Sequence, residues 1–326
     1  MTEKKLLKGI DVLKLICAFL IVFLHTYNRD GGMLGNWFYR VIASIGVPFF
    51  FIVSGFFFAR GLRRTNWSFD YLKVYLDRII KIYVAWTLIT LPVSWLCVVR
   101  GHGDYSFSLK VIYLFRMIFF SGSCGIYWYV LAMICSCPII YYFTRKGWEM
   151  YLYIVSTLLF IVGVWYNSPY NDNNIVFLFI HAVFGSERNF FNVGLFYMCI
   201  GYIFAVNESR LKFKSTFIYS LLIIAIIFRS YEVNLLHINL LQALLAALFF
   251  IMALNLAVNI SNEKSMILRK LSTTMYLIHY PFILLFDFYL KRGTLIDYPM
   301  ALCFCFVGYW MMTKFFSHKL QQILLG

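Results

Sequence analysis

A helix that crosses a bilayer needs roughly 20 mostly apolar residues to span a hydrocarbon core about 30 Å thick, and stretches of that kind follow one another along nearly all of this 326-residue chain. Hydropathy and periodicity place candidate spans at 9–28, 40–59, 79–99, 126–143, 150–166, 190–206, 215–230, 236–258, 271–290 and 299–317. Two further apolar stretches, Leu109–Phe120 and Ile175–Phe184, are too short to cross and read as re-entrant or interfacial pieces. Water cannot be the main solvent of such a chain: 62% of its residues are apolar and only 13% are charged. The fold class expected is therefore all-α, a polytopic integral membrane bundle of about ten transmembrane helices.

The connections, such as Thr144–Glu149 and Asn207–Lys214, are short and polar. One transmembrane domain over 1–326 is expected, with no soluble domain inserted or following the last helix. The first span carries Asp11 and Lys14, and Thr26-Tyr27-Asn28 offers no small-residue cleavage site, so it is expected to stay attached and not to act as a signal peptide.

Counting Lys and Arg on alternate sides of the ten-span arrangement puts 19 on the side of the N-terminus, from Lys4 to Lys319, and 9 on the other. The positive-inside rule then makes both termini cytoplasmic. The net charge of +15 reads as topology and contact with anionic lipid headgroups, not as a nucleic-acid footprint. Trp37, Trp67, Trp95 and Trp165 fall near span ends, where an interfacial aromatic belt belongs. Of eight cysteines, Cys135/Cys137 and Cys303/Cys305 are two apart on predicted helices, point to different faces and cannot share a metal. No metal site is expected. Cys97 and Cys124 both fall near the outer surface, and either a disulfide or two free thiols is compatible with their positions.

Ionisable groups within spans are expensive and are usually paired or functional. Asp11, Lys14 and His25 share the first span. At 100° per residue, Lys14 and His25 lie within about 20° of one face, separated by roughly 16 Å along the axis, with Asp11 on the flank. One reading is structural, an Asp11–Lys14 pair and an interfacial histidine; the other is an acid, a base and an imidazole in one functional stripe. In the second span, Ser54-Gly55 sits in an aromatic run, where small residues allow close helix approach and the hydroxyl can bond within or between helices. Nearby, Arg60, Arg63, Arg64, Lys73, Arg78 and Lys81 form a dense basic run that serves as positive-inside charge or as a phosphate holder. His279 lies within a span beside Pro281 and is either a core histidine or part of a site.

Together these residues resemble acyltransferase family 3, integral-membrane acyltransferases that modify cell-envelope sugars and related acceptors. The resemblance is carried by Gly9-Ile10-Asp11 with Lys14 and His25, by Pro48 to Phe56, by Arg78-Ile79-Ile80-Lys81, by Tyr127-Trp128-Tyr129, by Arg188-Asn189-Phe190-Phe191 and by Tyr276-Leu277-Ile278-His279. It implies a multi-pass protein of the bacterial inner (plasma) membrane that moves an acyl group, usually acetyl, from cytoplasmic acyl-CoA to a hydroxyl of an envelope saccharide or similar acceptor. No permanently bound cofactor is implied; acetyl-CoA is a substrate. His25, with Asp11, falls on the catalytic positions, Lys14, Ser54, Arg78 and Lys81 on the donor side, and Trp128, Arg188 and His279 on the acceptor side. The family usually has arginine at the positions of Lys14 and Lys81, so the charge is kept and the planar fork is lost. Arg188-Asn189-Phe190-Phe191 also resembles the membrane domain of membrane-bound serine racemases, although no racemase domain is expected here. With relatives regarded as exporters, that makes a small-molecule carrier the alternative function, one that a polar stripe through a bundle also suits.

Overall fold

The computed structural model describes residues 7–28, 32–166, 178, 190–233, 239–289 and 296–325. Every regular element among them is helical, as a chain in lipid requires, because a helix satisfies its own backbone donors and acceptors. The principal helices are α1 (Lys8–Thr26), α2 (Gly32–Trp37), α3 (Gly46–Arg64), α4 (Phe69–Gly101), α5 (Phe107–Arg116), α6 (Trp128–Arg145), α7 (Glu149–Tyr166), α8 (Leu195–Val206), α9 (Ser215–Tyr231), α10 (Leu241–Asn255), α11 (Asn262–Tyr289), α12 (Asp297–Phe315) and α13 (His318–Leu325).

The segments Lys8–Thr26, Gly32–Arg64 and Phe69–Gly101 are long and apolar enough to cross a membrane. Shorter apolar helices cover Glu149–Trp165, Asn192–Val206, Ser215–Tyr231 and Leu241–Asn255. The chain is a multi-pass membrane protein, with large apolar side chains such as Leu88, Ile154, Ile223 and Phe228 facing outward. A water-soluble bundle would bury them.

Two helices begin well before their predicted spans. The Ser68 hydroxyl accepts the Asp70 N–H at 3.2 Å and caps α4 at Phe69, not near 79. Arg78 is thus a helical residue and not part of a connection, on the same helix as Lys81. Likewise Ser261 accepts the Lys264 N–H at 3.2 Å and starts α11 at Asn262, which places Arg269 on a helix. The stretch Leu109–Phe120 forms α5 and a π-helical turn, neither of which buries a residue. Ile175–Phe184 falls almost wholly outside the described residues.

Two parallel helix pairs organise the interior. Beside α3, α8 runs so close that a Cβ on Gly55 would sit 2.2 Å from the Met198 carbonyl oxygen, and one on Gly201 would sit 2.2 Å from that of Ile52. Lipid tails are as apolar as the helices, so close backbone approach and van der Waals contact, not release of water, hold this crossing. Arg63 adds a bond from Nη1 to the Ala205 carbonyl at 2.6 Å. The fully buried Phe49, Phe51, Phe56, Phe58 and Phe250 fill the space around it. The second pair is α1 and α11, flanked by α12. It carries the candidate site.

All eight cysteines are free. Cys124 lies 3.2 Å from the Ser94 hydroxyl and has not joined Cys97. Arg229 is buried and held by Glu232 at 2.5 Å and by the Asn239 side chain at 2.6 Å, so it forms a structural ion pair near the end of α9.

Gly55→Ala should lower stability by about 1–3 kcal/mol, the usual penalty for overpacking, because its contact is backbone and cannot move aside. Gly103→Ala, with nothing within 4 Å, serves as the control in thermal unfolding in detergent. Equal midpoints for the two variants would contradict the crossing geometry.

Candidate active site

Along α11 the residues Ser265, Arg269, Ser272, Tyr276 and His279 follow one another at spacings of four and three, which places them on a single helix face. That face meets the stripe of α1. At one end Asp11, buried, accepts from the Ser265 hydroxyl at 2.7 Å and from both edges of the Arg269 guanidinium, Nε at 3.0 Å and Nη2 at 2.8 Å. At the other end the His25 and His279 rings lie 5.2 Å apart, and the Tyr280 ring is 4.5 Å from His25. Position 11 faces 265 and 269 while 25 faces 279, so the helices are parallel. The two ends are separated by about 20 Å at 1.5 Å per residue.

The Asp11–Lys14 pair read from spacing is not the bond that forms. The bidentate fork of Arg269 takes Asp11, since a planar guanidinium matches a carboxylate as an ammonium cannot. Lys14, half-buried, stands over the Phe50 ring at 5.6 Å. Arg78 and Arg269 both act on it through space, so three cations and one carboxylate share this end of the bundle. Arg78 lies over the Tyr75 ring at 5.4 Å. Lys81 does not join them: its ammonium is exposed and bonded to Asp77 at 2.6 Å, one turn away on the same helix.

Between the two ends runs an aromatic wall. The Ser54 hydroxyl and the Tyr129 hydroxyl share a bond at 2.6 Å, and Tyr129 also donates to the Phe50 carbonyl at 3.2 Å. Tyr129 and Tyr276 rings are 5.1 Å apart, and Tyr276 leads to His279 at 6.2 Å. Ser54 thus fixes the wall beside Lys14. Trp128 packs on Phe51 at 5.4 Å and opens α6, one residue from Tyr127 and Tyr129 but without a ring contact to the histidines. Arg188 lies outside the described residues.

Pro281 explains how His279 is held. Proline has no N–H to give to the carbonyl four residues before it and crowds that group. The carbonyl is that of Leu277, and the buried Tyr127 hydroxyl donates to it at 2.9 Å. Tyr276 donates in turn to the Ile126 carbonyl at 2.6 Å. The turn before α6 has positive φ at Gly122, Cys124 and Gly125, and Gly125 lies against the Tyr280 ring. A backbone of that shape brings 126–128 up to α11.

A cavity of 370 Å³ lined by Asn66, Trp67, Thr144, Arg145 and Glu149 sits among the connections after α3 and α6, and none of the residues of the stripe lines it. Among the described residues no group of three or more His, Cys, Asp or Glu could hold a metal ion. Sequence reasoning missed Arg269 and Ser265 because it read them as part of a loop. The start signal at Ser261 and the four-three spacing would have found them.

Residues 7–314 match the acyltransferase domain of family 3. The chain belongs to acyltransferase family 3. Two curated relatives, both named amino-acid racemase and both from Enterococcus faecalis, are each 26% identical to this family 3 chain, over 293 and 215 residues. These alignments cover 83% and 62% of the chain but only 40% and 29% of the relatives, so the chain spans well under half of the proteins it matches. No solved structure matches it.

Removing Arg269 alone would leave Asp11 buried and uncompensated, which typically costs about 3–5 kcal/mol, less here because the guanidinium is partly exposed. Arg269→Ala should therefore destabilise the protein more than the double change Asp11→Ala with Arg269→Ala. Thermal unfolding of the single and double variants measures this, and a double variant as unstable as the sum of the singles would refute the pairing.

Proposed function

We propose that this family 3 chain is a membrane O-acyltransferase that moves an acyl group, most simply acetyl, from acyl-CoA to a hydroxyl of an envelope saccharide or similar acceptor. One observation carries the reading: a single parallel helix pair has a cation cluster at one end and two histidines at the other. Lys14, Arg78 and Arg269 would draw the phosphates of CoA to the first end. Lys81, exposed and paired, adds only surface charge. The wall of Phe50, Tyr129 and Tyr276 would guide the pantetheine arm toward His25. There His25, as a neutral imidazole within about 3 Å of the acceptor hydroxyl, takes its proton as the oxygen attacks the thioester carbon. Trp128, Arg188 and His279 belong to the acceptor side, and Asp11 orients Arg269.

The orientation that fits is a ten-span bundle in the bacterial inner membrane with both termini and the cation cluster at the cytoplasm. The parallel course of α1 with α11, and of α3 with α8, supports this arrangement, since first and ninth spans run one way and second and sixth the other. Reporters fused after Lys146 and Lys264 should report the cytoplasm, and one after Gly103 the exterior. A reversed pattern at two of these sites would sink the topology.

The chemistry is tested by free CoA release from acetyl-CoA, per folded molecule, with and without envelope extract. His25→Ala should lower release by about 10²–10⁴-fold, as loss of a positioned base does, while the protein stays folded in the membrane. The partial match to proteins named amino-acid racemase favours a second reading, a carrier for a small amino acid. A carrier would retain flux in the His25 variant, and near wild-type CoA release there would end the acyltransferase reading.

A further inference from the structure

His279 is completely buried, and its two ring nitrogens are in different situations. Nδ1 lies 2.8 Å from the Met275 carbonyl oxygen, one turn back on α11. A carbonyl only accepts, so Nδ1 carries the hydrogen and donates it. In a neutral imidazole the other nitrogen, Nε2, is then a bare lone pair. Nε2 is buried and has no hydrogen-bond partner. Leaving a buried polar atom unsatisfied costs about 1–3 kcal/mol, and nearly all such atoms in native structures find a partner. The bundle goes to some length to keep this one in place: Tyr127 repairs the break that Pro281 makes, and Cys305 of α12 stands 4.0 Å from the same Met275 carbonyl.

The neighbouring ring is His25, at 5.2 Å between centroids and tilted by 41°. Hydrogen bonds among catalytic groups are often long or misaligned before substrate binds and tighten in the complex. A lone pair locked by its own helix can receive an N–H from His25 and can give nothing back. We propose that His279 is the positioning residue of the His25 base: its Nε2 accepts the N–H of one His25 nitrogen, which leaves the other nitrogen of His25 unprotonated and turned to the acceptor hydroxyl. This rests on the acyl-transfer reading and deepens it. As the acceptor oxygen bonds to the thioester carbon, its proton passes to His25, and the imidazolium formed is held against His279. The carbon–sulfur bond then breaks, and His25 returns the proton to the sulfur, releasing free CoA. A carboxylate does this job in hydrolases with a Ser-His-Asp triad; inside a bilayer, a neutral histidine spares the fold a buried anion.

Two amide variants separate positioning from packing. Asparagine at 279 places a donor where Nδ1 was, so it keeps the tie to Met275 and loses the acceptor. Glutamine reaches the place of Nε2 and keeps an acceptor there. CoA release from acetyl-CoA with envelope extract should fall at least about 100-fold in His279→Asn through kcat, with KM for acetyl-CoA little changed, and stay within about 10-fold of wild type in His279→Gln. An Asn variant at the wild-type rate, or Asn and Gln variants equally impaired, would overturn the proposal. An inactive His25→Ala protein beside a fully active His279→Asn protein removes the positioning role alone, whereas an active His25→Ala protein removes the acyl-transfer reading with it. Nitrogen-15 NMR of histidine-labelled protein gives a readout that needs no acceptor. The signals absent from His279→Asn should show one protonated and one bare nitrogen, and a protonated Nε2 would overturn the assignment.

Discussion

The bond between Asp11 and Arg269 fixes the register of α1 against α11, and the candidate site depends on that register. A carboxylate buried in lipid-facing protein is costly unless a partner neutralises it and fills its lone pairs. Arg269 and Ser265 do both, with three donors on two oxygens. Once that end is fixed, a rise of 1.5 Å per residue brings His25 level with His279. A slip of one residue on either helix would turn one of the two imidazoles out of line with the other.

Around this polar seam the bundle is held by contact. With no hydrophobic driving force between helices inside lipid, close approach has to come from small residues and shape. Gly55 and Gly201 let α3 and α8 touch backbone to backbone, and large aromatic rings fill the remaining space. A second set of rings, Phe50, Tyr129 and Tyr276, packs against them through Phe51 and lines the interior between the cations and the histidines. Ser54 belongs to both systems: it stands next to the glycine of the crossing, and its hydroxyl anchors Tyr129.

Pro281 is the third element of the design. A proline within a helix removes one internal bond, and here the freed carbonyl receives the Tyr127 hydroxyl. That ties the start of α6 to the part of α11 that carries His279. The turn at 122–125 takes positive φ at three positions to make the approach.

Much of this was legible in the amino-acid sequence. Long apolar stretches dictate helices in lipid whatever their neighbours, so the all-helical membrane class and most helix positions could be read directly. The stripe of Asp11, Lys14 and His25 was legible as well, because helical periodicity is a local property. Partners are not local. Spacing pointed Asp11 at Lys14, three residues away, whereas the folded chain gives it Arg269, 258 residues further on, because two guanidinium edges satisfy a buried carboxylate better than one ammonium. The family resemblance put Lys81 with Arg78 on the donor side, but on α4 it turns outward to Asp77. The meeting of His25 with His279, and the unpartnered nitrogen between them, arose only when tertiary packing set α1 and α11 side by side in parallel. Periodicity determines which residues share a face of one helix, and only packing decides what that face will meet.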